Sequence, residues 1–290
     1  MKVSGFTFIR NAILYDYPIV EAITSILPIC DEFIVAIGHS DDQTTALINS
    51  INSPKIKIIP TIWDDTLRAG GRVLAVETDK AFAAIASDSD WCFYSQGDEC
   101  VHEKYLPIIK EAMELNLLDK RVEGLLLNYL HFYGSYDFIG TARKWYRNEI
   151  RIIRNNKNIS SFRDAQGFRI DDRKLNVKKI AAAVYHYGWV KHPEKQQAKA
   201  ETFNKLWHSD QWVEKNIPKV SGFDYSNVDG LKRFTESHPA VMKNRIAAIN
   251  WEFTVDPTNK KMKLKHQLAG YIENLTGWRI GEYKNYRIIK

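Results

Sequence analysis

Apolar runs with no polar alternation separate amphipathic stretches through the first 130 residues of this 290-residue chain. Residues 33–37 (FIVAI) and 91–95 (WCFYS) are such runs, and a strand must be buried on both faces to need them. Between them, Ile19, Ala22, Ile23, Ile26 and Leu27 recur at helical spacing behind Asp16 and Pro18. Val73, Val76, Ala81, Ala84 and Ile85 do the same behind Gly70-Gly71. Buried strands alternating with helices predict an α/β domain built on a mostly parallel sheet, with helices on both faces. Strands are expected at 3–9, 33–37, 55–59, 91–95 and 122–133. Helices are expected from about 16, from 40 or 41 through 51, from 71, and from 103 to 117.

The second half is less regular. Residues 149–154 (EIRIIR) and 180–187 (IAAAVYHY) read as strands. From Pro193 onward charged helices are expected, anchored by Trp207, Trp212, Trp251 and Trp278. The division is a core domain over 1–190 and a helical, basic region over 191–290.

The chain is 44% hydrophobic and 26% charged, which excludes disordered and fibrous classes. Its odd set of cysteines (Cys30, Cys92, Cys100) has neither metal nor redox spacing, so a reducing compartment is expected and Cys92 reads as a core residue. No stretch reaches the ~18 apolar residues of a membrane span, and Arg10, Asn11 and Asp16 interrupt any leader-like run. A cytoplasmic protein is expected. Residues 1–120 hold 10 Lys and Arg against 18 Asp and Glu, whereas 121–290 hold 31 against 17. The basic half suits an anionic partner or surface, including peripheral contact with the inner membrane face, or simply a solvated set of Lys-rich helices. No nucleic-acid motif accompanies it, and no nucleic-acid partner is expected.

The most informative motif is the strand at 91–95 running into Gln96-Gly97-Asp98-Glu99. Side chains at the carboxyl end of a parallel strand point into the ligand crevice. An acidic turn there suits Mg²⁺ or Mn²⁺, which share carboxylate, phosphate and water oxygens.

Four ordered blocks carry a resemblance: FTFIRNAILYDYPIVEAITSIL, EFIVAIGHSDDQT, RAGGRVLAVETDKAFAAIASDSDW and WCFYSQGDE. In order and spacing they resemble family-two GT-A glycosyltransferases, over about the first 130 residues, with QGDE similar to a "QADE" form of the DxD motif. The resemblance implies a GT-A nucleotide-diphospho-sugar transferase fold. It further implies that Asp98 binds the metal, that Gln96 replaces the first aspartate of the motif, and that Glu99 binds metal or donor ribose. Arg10, Asn11, Ser40, Asp42, Arg68 and Gly97 fall where that family meets the donor. His186, in VYHYGWV, resembles the histidine that completes the metal or diphosphate site. The second loop carries Ile37-Gly38-His39 where the family has an acidic residue, and the family's Glu-Asp dipeptide is absent.

A general base must therefore be sought elsewhere. Asp164, on a polar loop ending in Gly167, is the candidate, with Glu149, Asp137 and Asp171 as rivals. The segment 142–155 (ARKWYRNEIRIIRN) suits a diphosphate or an anionic acceptor. His131 lies near the acceptor pocket or serves structure, and His102, His192, His208, His238 and His266 read as surface residues. The expected activity is metal-dependent transfer of a sugar from a nucleotide-diphosphate donor to a glycan or lipid-linked acceptor. Inversion, and a place in surface glycan or polysaccharide synthesis, follow from the resemblance. A non-catalytic nucleotide-sugar or glycan-binding domain and a nucleotidyltransferase remain open.

Overall fold

The computed structural model describes residues 1–226, 228, 230–254, 270–273, 275–277 and 279–290. Four strands come first: β1 (Val3–Ile9), β2 (Glu32–Gly38), β3 (Ile56–Thr61) and β4 (Trp91–Tyr94). They pair in parallel in the order β3-β2-β1-β4. Each crossover carries a helix: α1 (Ile19–Ile26), α2 (Thr44–Asn49) and α3 (Arg72–Ala83). The strand pleat sorts their side chains to two faces. Phe33, Val35 and Ile37 of β2 pack with Ile19, Ile23 and Ile26 of α1. Ile34 and Ala36 meet Val73, Leu74 and Phe82 of α3 on the opposite face. β4 divides in the same way, Trp91 and Phe93 to the first face, Cys92 and Tyr94 to the second. Both faces are thus covered, and this is the physical reason the runs contain no polar alternation. Each such side chain contributes ~1.5–3 kcal/mol of burial.

The chain continues through β5 (Glu99–Val101), α4 (Leu106–Leu115), β6 (Gly124–Tyr133), β7 (Ser135–Gly140) and β8 (Asn148–Arg154). β8 inserts antiparallel between β4 and β6. A separate three-stranded sheet follows, from β9 (Ile159–Ser161), β10 (Phe168–Ile170) and β11 (Arg173–Lys174). The long β12 (Asn176–Trp189) then runs parallel to β6 and antiparallel to β5. Beyond it lie α5 (Pro193–Asn204), α6 (Asp210–Asn216), β13 (Leu231–Arg233), α7 (Lys243–Ala247) and β14 (Arg287–Ile288). β13 pairs with β7 and β14 with β12, completing an 11-stranded sheet. Among the described residues, β5, β7 and β8 alone oppose the direction of β1 in that sheet. The fold is α/β, with a largely unidirectional sheet and helices on both faces.

Some local expectations are revised. The helix expected from residue 40 or 41 begins only at Thr44, because Asp42 Oδ1 accepts the Thr44 N–H at 2.9 Å. Ser40 and Asp41 are meanwhile bonded to Asn11 in the first loop. His102 is buried, not on the surface, with Nε2 2.9 Å from Ser237 Oγ. His238 is half-buried, its Nδ1 2.8 Å from the Tyr187 hydroxyl. His266 and Trp278 lie outside the described residues. Cys92 is buried as expected, and all three cysteines are buried free thiols.

Candidate active site

The acidic turn follows directly from the end of β4. Glu99 N–H donates to the Gln96 carbonyl at 3.1 Å, and Tyr187 N–H donates to the Asp98 carbonyl at 2.8 Å. The β5–β12 register sets His186 opposite Glu99, and so beside Asp98. Asp98 is 7% exposed. Its Oδ2 accepts from Lys199 Nζ at 3.1 Å, and its Oδ1 lies 3.7 Å from His186 Nε2. Burial alone would raise its pKa. Lys199 foremost, by its charge and its hydrogen bond, overcomes that penalty and holds the carboxyl well below the usual carboxylate range. His186 is pushed down by burial, against the pull of Asp98, so its imidazole is neutral at pH 7. Its Nδ1 lies 3.3 Å from His131 Nδ1, which fixes the ring. Gly188 makes room for the pair: a Cβ there would sit 2.6 Å from both Asp98 Oδ2 and His186 Nε2.

Asp98 forms part of the floor of a cavity of about 470 Å³, with Gln96 and Gly97 beside it. One wall comes from the loop after β1, with Arg10, Asn11 and Tyr17, and from Trp63, Asp65 and Arg68. The other comes from Tyr146, Asp164 and Gln166, and Lys199, Thr202 and Phe203 of α5 close the site. Arg10 pairs with Asp65 at 3.1 Å and Arg68 with Asp210 at 2.8 Å, so both guanidinium groups are held at the rim. Asn11 adopts φ 54°, a conformation that Asn tolerates, and its side chain bonds Asp41 from both ends. Asp164 sits between two positive-φ residues, Arg163 and Ala165, and its Oδ1 accepts from Gln166 Nε2 at 2.9 Å.

Seven of the expected site residues therefore meet in one cavity: Arg10, Asn11, Arg68, Gln96, Gly97, Asp98 and Asp164. Four stand outside its lining. Ser40 accepts the Asn11 N–H at 3.0 Å and braces the first loop from behind. Asp42 accepts the N–H groups of Ile13 and Leu14 at 2.9 and 2.7 Å, and its neighbour Asp41 lines the cavity instead. His186 is absent from the lining, with Nε2 3.7 Å from Asp98 Oδ1. Glu99 is 1% exposed and is clamped by Arg151, with contacts of 2.7 and 2.6 Å, and by the Tyr129 hydroxyl. A carboxylate so fully engaged holds the strands together and has no oxygen turned to a donor.

The segment 142–155 also differs from expectation. Arg151 is spent on Glu99. Arg154 lies 3.8 Å over the Trp91 ring and donates to the Val122 carbonyl, and Arg147 grips Glu282 with two bonds of 2.9 and 3.0 Å. None of these three forks is free for a phosphate. Of the rivals to Asp164, Asp137 and Asp171 line neither of the two cavities, whereas Glu149 lines a second one. Lys199, Lys191, Tyr17, Tyr146 and Gln166 were not anticipated. Lys199 had no local signature, since α5 is charged on every side; only the fold brings it to Asp98. Lys191, fully buried with Nζ on the Asp16 carbonyl, reads in sequence like any other lysine.

Among the described residues no three His, Cys, Asp or Glu side chains converge as a metal cluster. Asp98 and His186 supply two donors, one ionised carboxylate and one neutral imidazole, 3.7 Å apart. That set fits a divalent cation whose other positions come from phosphate and water.

No family model and no curated protein matches the chain. Among solved structures, S. aureus TarS gives a TM-score of 0.40 at 14% identity, over 70% of this chain and 39% of that one. TarS 1–349 in complex with UDP gives 0.40 at 14%, over 76% and 68%. Glucosyl-3-phosphoglycerate synthase from Mycobacterium tuberculosis, with Mn²⁺, UDP and phosphoglyceric acid, gives 0.31 at 17%, over 45% and 43%. The chain spans less than half the length of the first and third of these. Such scores place no residue, and the fold assignment rests on strand order and direction.

Proposed function

We propose that the protein is a GT-A-type glycosyltransferase that moves a sugar from a nucleoside diphosphate to an acceptor hydroxyl. One observation carries this reading: a buried, ionised aspartate at a strand's carboxyl end, paired with a lysine on the lining of a cavity of nucleotide size, with a histidine 3.7 Å from the carboxylate. The diphosphate belongs at Asp98 and Lys199, where the Lys199 ammonium already opposes a carboxylate oxygen. Arg10 and Arg68 add positive charge at the rim, and Asn11 offers polar contact to the nucleoside.

Mn²⁺ or Mg²⁺ is the proposed cofactor, held by Asp98 and His186. When bound it supplies charge neutralisation for the departing diphosphate. Lys199 contributes to the same end through a preorganised positive charge. Asp164 shares the cavity with Asp98 and is steadied by Gln166, which supports it as the base that takes the proton of the attacking hydroxyl. Attack from the face opposite the leaving group would invert the anomeric centre. A glycan or lipid-linked acceptor, a role in surface polysaccharide synthesis and a cytoplasmic site of action complete the reading. The basic half is proposed to face the acceptor or a membrane surface. The lysines that would test this (Lys260, Lys261, Lys263 and Lys265) lie outside the described residues.

A thermal-shift panel of UDP-, GDP-, CMP- and dTDP-sugars, with and without Mn²⁺, tests donor binding. A donor at 100 times its dissociation constant adds ~2.7 kcal/mol of stability. A cation-dependent shift with one nucleotide supports the proposal. A shift with nucleoside triphosphates alone favours nucleotidyl transfer, binding without turnover favours a glycan-binding domain, and no shift at all removes the donor site.

A further inference from the structure

A second cavity, of about 320 Å³, lies between the 143–149 segment and the C-terminal residues 279–286. Tyr146 and Gln166 line both this cavity and the first, so they form the partition between the two. Six buried polar atoms at the second cavity have no hydrogen-bond partner among the described residues: Glu149 Oε2, Asn148 Oδ1, Oδ1 and Nδ2 of Asn285, Trp145 Nε1 and Arg143 Nη1. Glu149 and Asn285 are only 6% and 4% exposed. Buried polar groups are almost always bonded, and each one left unmade costs ~1–3 kcal/mol. Gly167 keeps the space before them open. A Cβ there would lie 2.2 Å from Asn285 Nδ2 and 3.7 Å from Glu149 Oε2.

Most charges of this cavity are matched, Lys144 excepted, whose Nζ lies 5.1 Å over the Trp145 ring. Arg147 is bonded to Glu282 and lies 3.0 Å from Glu273. Arg279 donates to the carbonyls of Trp145 and Ala142 at 3.0 and 3.2 Å. Arg143 is held by the Ile280 carbonyl and faces Glu273 at 3.5 Å. An anion would find the Lys144 ammonium but no open guanidinium fork to hold it in two contacts. Burial pushes the Glu149 carboxyl up to about 8, against the pull of Arg151, so at neutral pH the group is largely protonated and both donates and accepts. Apart from Lys144, what remains is a set of uncharged, planar hydrogen-bonding groups beside the rings of Trp145, Tyr283 and Tyr286. Vicinal hydroxyls pair with planar amides and carboxyls, and the C–H faces of a pyranose rest on aromatic rings.

We propose that the second cavity binds an uncharged sugar ring, and that this ring is the acceptor. Only its role as acceptor rests on the transfer reading; sugar binding stands on the cavity alone. The partition residue Gln166 bonds Asp164, so a hydroxyl reaching past Tyr146 from the second cavity arrives beside the proposed base.

Saturation-transfer NMR on the full chain tests the site. The probes are methyl β-D-glucoside, methyl β-D-galactoside and methyl N-acetyl-β-D-glucosaminide, with methyl β-D-glucuronide as the charged counterpart and UDP and GDP as donor-site probes. At least one neutral glycoside is expected to bind. Its affinity should fall about fivefold or more, the scale of one lost hydrogen bond, in Asn285→Ala and in Glu149→Ala. Tyr283→Ala, at an exposed ring, should weaken binding with an unchanged melting temperature, which guards against simple misfolding. Nucleotide signals should be the same in all variants. Glycoside binding without any nucleotide binding would support the sugar site and remove the transfer reading. The proposal is overturned if no neutral glycoside binds, if only the glucuronide binds, or if binding survives all three substitutions.

Discussion

The parallel half of the sheet and the half that follows it build the same cavity by different means. β1 to β4 contribute loops in chain order, so Arg10, Asn11, Gln96 and Asp98 arrive at the strand ends by connectivity alone. The later half contributes by return: β12 comes back beside the acidic turn, α5 lowers Lys199 onto Asp98, and the loop before β10 delivers Asp164. The first half brings its residues together through repeated local geometry. The second does so through contacts of long sequence separation, which, on the proposed reading, is where a change should alter catalysis most.

The largest expected effect is at Asp164. If it takes the acceptor proton, Asp164→Asn should slow transfer by roughly 10²–10⁴ with saturating donor, while melting temperature and donor affinity hold. Near-normal turnover would remove Asp164 as the base and break the assignment of chemistry to the loop before β10.

Next comes the contrast between the adjacent residues Asp98 and Glu99. Arg151→Met strands a buried Glu99 carboxylate and should destabilise the protein by ~3–5 kcal/mol in denaturant titration. A loss below about 1 kcal/mol, the scale of an exposed pair, would mean that Glu99 is not the structural partner its geometry makes it.

A smaller effect should come from Gly188→Ala. The added methyl meets both Asp98 and His186, so nucleotide affinity in Mn²⁺ should fall roughly tenfold, or ~1.4 kcal/mol. Unchanged affinity would show that the site relaxes freely, and that the return of β12 matters less than the turn itself.

Much of the fold was legible because burial on two faces leaves a strong trace. The runs at 33–37 and 91–95 could be little else, and the strands appear where expected. The turn at 96–98 was legible because it ends such a run. Glu99 was misread for a physical reason: sequence shows a carboxylate next to Asp98 but not the alternation of a short strand, β5, that turns it inward to Arg151. Asp42 was misplaced by one residue, since whether an aspartate caps a helix or faces a cavity depends on the loop it meets. Lys199, Tyr146 and Gln166 could not be found by pattern, because their partners lie far away in sequence.

The central claim is that Asp98 anchors a cation-assisted diphosphate site. Isothermal titration of the cognate nucleoside diphosphate into wild-type protein and Asp98→Asn, each in Mn²⁺ and in excess chelator, tests it most directly. The account predicts tight binding only for wild type in Mn²⁺, with both proteins melting cooperatively. Equal affinity in the variant, or equal affinity in chelator, would contradict it.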